Sequence, residues 1–399
     1  MLDRKNFIKG LGVSMLALSF GLVSLATVAQ AADKVLKIGF VGVTSGPAAA
    51  WGTSNVRSMQ TRADWLNEKG GVKIGGDTYK INIITFDDKK DPKLAVAGFE
   101  KMAAEGVHYV VGPNTDDGAI PAYDVAVKRG IVYFPYAFAK QLYNKPDSNA
   151  YLAMIANYES GPTIYKWLKA NKGVKKVAFV AATDSDPISQ RDSGVAAAKA
   201  IGLEVVDGTT TYKSGTTDFN PILAPVVAKK PDLIVLSGVA PAAAPLLLKS
   251  ARELGFKGLM STETAQNASE LKSAGDAANG FISLGGASTA ELASDTMKEF
   301  VARYTKKFGV YDDESNTKVY ALEYIVSVLQ KNPKAIDNVE EFKKTANSFS
   351  MKNPFVKTDV PMTFVGKGYF GQKRQIFVPM VVNQYQNGEF KTLFIGKVD

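Results

Sequence analysis

The chain reads as an α/β protein made of two doubly wound parallel-sheet lobes. Three observations predict this. Short β-rich runs alternate with amphipathic helical stretches, the connections between them are short and often closed by glycine, and the alternation restarts within residues 160–182. Repeated strand–helix units with short links imply a parallel sheet covered by helices on both faces. Two series of them imply two such lobes, and at 399 residues the chain is long enough for both.

The first series opens with "VLKIGFVGV" (35–43), a strand. Residues 54–69 follow as a helix, stopped by Gly70-Gly71, and "INIITF" (81–86) is the second strand. Asp91-Pro92 supplies a cap and a first-turn proline for the next helix, which Gly106 ends. "HYVVG" is a strand running through Gly112-Pro113-Asn114-Thr115 into a helix that carries Asp116 and Asp117 at its start and Gly130 at its end. "IVYFPY" (131–136) is the fourth strand.

The second series reads as a helix at 160–170, a strand at 176–182, helices at 190–201 and 219–228, the strand "DLIVLSG", a helix at 242–254 and the short strand "GLMST". Residues 291–347 are mostly helical. The end is a β-hairpin with Asn387-Gly388 as its turn. No low-complexity linker separates the lobes, so the chain is expected to cross between them more than once and form a hinge.

The N-terminus is a separate matter. Arg4, Lys5 and Lys9 precede an apolar run at 11–26, and Ala29-Gln30-Ala31 has a small-x-small pattern. That order predicts a secretory signal peptide over residues 1–31, cleaved after Ala31, and a periplasmic mature protein. A retained membrane anchor is the alternative. Without residues 1–31, three cations and one anion fewer take the net charge from +9 to +7. The excess is scattered lysine with no dense basic stripe, which argues against nucleic acid as a partner.

Zero cysteines rule out disulfides, thiolate catalysis and cysteine metal sites. The single histidine, His108, begins an apolar strand with no serine elbow near it. The composition therefore weighs against an enzyme, and neither cofactor nor metal is expected. Acid pairs such as Asp184 and Asp186 could serve a glycosidase, but neighbouring turn acids also cap helices.

The motifs "KIGFVGVTSGPAAAWG", "LNEKGGV", "DDKKDPKLAV", "YVVG" and "ETAQNAS" occur in this order along nearly the whole chain after residue 31. Together they resemble the branched-chain amino acid (leucine-binding-protein-like) type of periplasmic solute-binding protein of ABC transporters. The resemblance implies the type I periplasmic binding protein fold, with a three-crossing hinge near residues 157, 286 and 375. Lobe 1 would then be 32–157 plus 287–375, and lobe 2 would be 158–286 plus 376–399. It also implies a monomer that captures a small solute in the interlobe cleft, closes over it, and docks on an ABC transporter membrane permease. An exported sensor feeding a receptor kinase or chemoreceptor is the alternative role.

Strand-following loops supply the candidate ligand residues. By resemblance, Trp51 packs on the ligand; otherwise it is a packing tryptophan. Asn114, Thr115 and Asp116 fall where relatives hold a ligand carboxylate with a hydroxyl and backbone N–H groups. Asp116 takes the hydroxyl's place, unless Asp116 or Asp117 is a cap. Tyr136, Ala137 and Phe138 belong to the second half of that site, where Ala139 replaces the usual threonine; the two aromatics serve as ligand wall or as core. Asp186 stands where an aromatic often closes over the ligand, or else caps a helix. Ala240 replaces another aromatic. Glu263 matches the family's ammonium-binding carboxylate. An acidic pocket without its carboxylate anchor implies that the ligand is not a free branched-chain amino acid. A small amide, amine, polyol or neutral aromatic with hydrogen-bond donors fits better.

Overall fold

The computed structural model describes residues 34–286, 289–313 and 317–396. The expected signal peptide lies outside them. Among the described residues, no helix is long and apolar enough to cross a membrane.

The first sheet has the order β2-β3-β1-β4-β5, formed by β1 (Lys34–Gly42), β2 (Val72–Ile74), β3 (Asp77–Asp87), β4 (Tyr109–Val111) and β5 (Val132–Phe134). All pairings are parallel except β2 with β3, a hairpin that turns at Gly75-Gly76. Helix α1 (Ala49–Glu68) lies on one face; α2 (Pro92–Ala104) and α3 (Asp116–Arg129) pack together on the other. The second sheet is β15-β14-β10-β9-β8-β6-β7. Its strands are β6 (Lys176–Ala182), β7 (Glu204–Tyr212), β8 (Leu233–Ser237), β9 (Leu259–Ala265), β10 (Ile282–Gly285), β14 (Met380–Gln386) and β15 (Glu389–Gly396). Helices α4 (Asn157–Lys172) and α5 (Ser185–Ala200) pair with each other, as do α6 (Asn220–Ala228) and α7 (Ala244–Glu253). A one-turn helix, α8 (Ala268–Leu271), follows β9.

The chain then leaves the second sheet after β10. Helices α9 (Asp295–Phe308) and α10 (Lys318–Lys331) pack on α1, and α11 (Val339–Ser348) follows. A small sheet of β11 (Ser350–Lys352), β12 (Pro361–Val365) and β13 (Gln375–Ile376) precedes the return to β14. A buried Arg62–Glu323 pair ties α1 to α10 through two bonds of 2.8 and 3.1 Å.

The sheets are mixed rather than wholly parallel. β14 and β15 add an antiparallel hairpin at one edge, and its turn residues Asn387 and Gly388 both take positive φ, as an Asn-Gly hairpin turn requires. Two helices begin five residues earlier than periodicity predicts. Helix α1 starts within Ala48-Ala49-Ala50, three strong helix formers. Helix α5 starts at Ser185 because Pro187 sits in the first turn, where no intrahelical N–H is needed.

Each sheet reverses its winding at an interior strand. In the first, β1 is flanked by β3 and β4; in the second, β6 is flanked by β7 and β8. Such a reversal splays the following loops apart and leaves a crevice at the carboxyl ends of the strands. Both crevices contribute to one cavity.

Candidate functional site

The cavity between the two sheets has a volume of about 440 Å³. From the first sheet it takes Ser45 and Gly46 after β1, Trp51 in the first turn of α1, Lys89 and Lys90 after β3, and Thr115 after β4. From the second it takes Asp184 and Asp186 after β6, Tyr212 at the end of β7, and Gly238 and Ala240 after β8. Gly52 allows this arrangement, since a Cβ there would come within 1.9 Å of the Val43 carbonyl oxygen. Only glycine lets α1 start so close to the end of β1.

A smaller chamber of about 40 Å³ adjoins it, and Trp51 and Asp186 line both. Its other walls include Asn114, Tyr136, Phe138, Gln190, Thr264 and Lys318. The Lys318 ammonium lies 4.1 Å from the centre of the Tyr136 ring, a cation–π contact. Asn114 follows a cis Gly112–Pro113 bond, and Tyr136 N–H donates to the Pro113 carbonyl at 2.8 Å, which sets the two loops side by side.

Direct bonds cross the cleft. The Lys90 ammonium meets Asp184 Oδ1 at 2.7 Å, and Ser185 Oγ donates to Asp117 Oδ1 at 2.6 Å. Burial alone would raise the Asp184 carboxyl; the Lys90 and Ser214 bonds override it and hold it below its ordinary range.

Of the ten residues singled out in the sequence, seven line one or both cavities: Trp51, Asn114, Thr115, Tyr136, Phe138, Asp186 and Ala240. Three do not. Ala137 is fully buried, and its carbonyl accepts from the Tyr143 hydroxyl at 2.6 Å. Asp116 is 2% exposed, and its Oδ1 accepts the backbone N–H of Ala139 at 2.8 Å. It therefore braces the 137–139 loop rather than facing the cavities. Neither it nor Asp117 caps α3; Thr115 holds the cap position, without a side-chain bond.

Glu263 lines neither cavity. Thr264 and Ala265 after it on β9 line the inner chamber, whereas Glu263 packs toward α4 and α5. There Glu263 accepts from the Tyr165 hydroxyl of α4. It lies so close under α5 that a Cβ on Gly194 would come within 2.9 Å of its Oε1. Burial, opposed by the Tyr165 and Ser237 hydroxyls, pushes its carboxyl up to about 7.

The remaining acids of the cleft interact through space. Burial pushes Asp116 up to about 6 against the pull of the Ala139 and Phe138 N–H groups. Burial raises Asp186 well above its ordinary range, and the nearby Asp116 charge adds to this. Asp186 Oδ2 accepts from Gln190 Nε2 at 3.3 Å.

Sequence reasoning missed Lys318, Gln190, Lys90 and Tyr212. Gln190 lies one turn after Asp186 on α5, an i,i+4 signal that an earlier helix start would have exposed. Lys318 carries no motif; only packing of α10 against α1 brings it to the cleft. Among the described residues, no cluster of three or more His, Cys, Asp or Glu side chains could hold a metal ion.

Residues 35–389 match the family described as "Periplasmic binding protein". The Leu/Ile/Val-binding protein of Escherichia coli K12 is 28% identical over 272 residues, 67% of this chain and 71% of that protein. The Leu/Ile/Val/Thr-binding protein of Salmonella typhimurium is 30% identical over 269 residues, 65% of this chain and 70% of that one. Among solved structures, the branched-chain amino acid transporter substrate binding protein LivJ of Streptococcus pneumoniae, in complex with isoleucine, superposes with a TM-score of 0.76 at 22% identity, covering 92% of this chain and 100% of that one. A solute binding protein of an R. palustris ABC transporter, in complex with 4-hydroxybenzoate, gives 0.73 at 19% identity, covering 92% and 97%.

Proposed function

The chain belongs to the periplasmic binding protein family, in its leucine-binding-protein-like branch, and from that premise we propose that it captures one small solute between its two sheets for an ABC importer. The observation that carries this reading is the 440 Å³ cavity built by the loops after β1, β3, β4, β6, β7 and β8, at the switch points of both sheets. The Lys90–Asp184 and Ser185–Asp117 bonds fit a closed form that opens by hinge motion to admit solute. The lobes in this reading are 32–157 plus 287–375 and 158–286 plus 376–399, and the protein acts as a monomer, exported after loss of residues 1–31.

The solute in this reading is not a free branched-chain amino acid. Asp186 lines both chambers, Asp116 lies close behind it, and an α-carboxylate would have to be buried against both. Asp116 also already takes the Ala139 N–H that could have served a ligand's carboxylate. The aromatic surfaces of Trp51, Tyr136 and Phe138 suit a small amide, amine, polyol or neutral aromatic with hydrogen-bond donors.

Thermal-shift screening of the protein against a solute library tests the reading, since a cleft ligand raises the melting temperature by mass action. At least one small solute is expected to do so in proportion to its concentration. A library in which nothing shifts the transition, run on protein unfolded and refolded to strip bound solute, would overturn it.

A further inference from the structure

Among the described residues, three buried side chains lining the inner chamber carry polar atoms without a hydrogen-bond partner. They are Asn114 at both Nδ2 and Oδ1, Asp186 at Oδ1, and Gln190 at Oε1. None of the three residues is more than 5% exposed. Buried polar groups are normally paired, so four such atoms on side chains that line one chamber describe the ligand that would pair them.

The four atoms comprise one NH₂ donor group and three acceptor oxygens. A carboxylate brings only acceptors: it could pair with Asn114 Nδ2 but would leave all three oxygens unanswered and add charge beside Asp186. A protonated amine brings only donors and leaves Asn114 Nδ2 unpaired. A primary amide brings two N–H donors next to one carbonyl, the complement of an asparagine side chain.

We infer that the inner chamber is a specificity subsite for the neutral –CO–NH₂ face of a primary carboxamide or urea. In it, Asn114 pairs with that face through two N–H···O bonds and Asp186 and Gln190 take the outer N–H. The inference rests on the cleft being the solute site. The chamber's 40 Å³ suits a compact planar head and little more. The rest of the ligand lies in the outer cavity, where Trp51, Pro187, Ala240 and Leu246 offer apolar surface. Trp51 and Asp186 line both spaces, so one molecule can occupy the two together. Lys318 in the same wall offers the one competing reading, an acid held by its ammonium.

Calorimetric titration of the refolded protein with two matched pairs decides between them: benzamide against benzoate, and isovaleramide against isovalerate. The inference predicts that at least one amide binds, that its acid binds at least about tenfold more weakly, and that Asn114→Ala and Asp186→Ala each weaken the amide by about tenfold or more. Asn114→Leu, close in volume and unable to hydrogen-bond, replaces Asn114→Ala if that variant does not fold. Acids binding as tightly as their amides would overturn the inference, as would amide affinity unchanged in the variants. A protein that responds to other solutes of the thermal-shift library but to neither amide also overturns it, while leaving solute capture intact. A protein that responds to nothing overturns both.

Discussion

Lys90 Nζ reaches Asp184 Oδ1 at 2.7 Å across the cleft, joining the loop after β3 to the start of α5. The lysine is held for this task. Its backbone is left-handed, with φ of 61°, and its N–H is fixed by Asp88 Oδ1 at 2.8 Å. Lys90→Ala is expected to weaken solute binding two- to fivefold, mainly through faster dissociation. A partly exposed pair contributes about 0.5–1 kcal/mol. Stopped-flow measurement of the off-rate checks this, and an unchanged off-rate would remove the pair from the closed form.

Asp116 supports the opposite loop through the Ala139 N–H. Asp116→Ala leaves that N–H without its acceptor, at a cost of about 1–3 kcal/mol in denaturant unfolding. Asp116→Asn retains an oxygen acceptor and is expected to lose less. Equal losses in the two variants would contradict the bracing role.

The raised carboxyls make a prediction about pH. Asp116 and Asp88 at about 6, and Glu263 at about 7, bind protons more tightly folded than unfolded. Their contribution to stability is fully present below pH 4 and is lost as pH rises through 6–7. Glu263→Gln removes one of these groups, so its stability relative to the parent should improve from pH 4 to pH 8. The expected gain is on the order of 3 kcal/mol over that span. Melting curves of parent and variant at each pH, compared as differences, cancel the opposing effect of acids such as Asp184 and Asp207, whose carboxyls are lowered.

The Arg62–Glu323 pair is buried at both ends, with each side chain 9% exposed. Removing one partner strands the other charge, so Glu323→Ala is expected to cost about 3–5 kcal/mol in chemical denaturation. A double replacement by leucine and methionine should recover much of this. Failure to recover would mean that the pair contributes beyond its own charge balance.

How much of this was legible in the sequence depended on whether the determining contact was local. The strand at 176–182 has the boundaries read from its residues, because its flanking turn and apolar run are both local. The Asn387-Gly388 hairpin was legible for the same reason. β10 and the small β11–β13 sheet were not, since short strands such as Ile282–Gly285 take their identity from partners far along the chain. Within the site, loops after strands located Trp51, Asn114 and Asp186. The orientation of Asp116 and Glu263 was hidden. It follows from the Ala139 N–H in one case and from the Tyr165 hydroxyl in the other, and motif position reports neither.

Capture of one small solute between the two sheets is tested by calorimetric titration of the refolded protein with the best thermal-shift ligand and with leucine, isoleucine and valine, repeated on Trp51→Ala. One site per chain is expected for the screened ligand, with at least about tenfold weaker binding in Trp51→Ala and no tight binding of the three amino acids. Sub-micromolar binding of any of the three, or a screened ligand indifferent to Trp51, would contradict it.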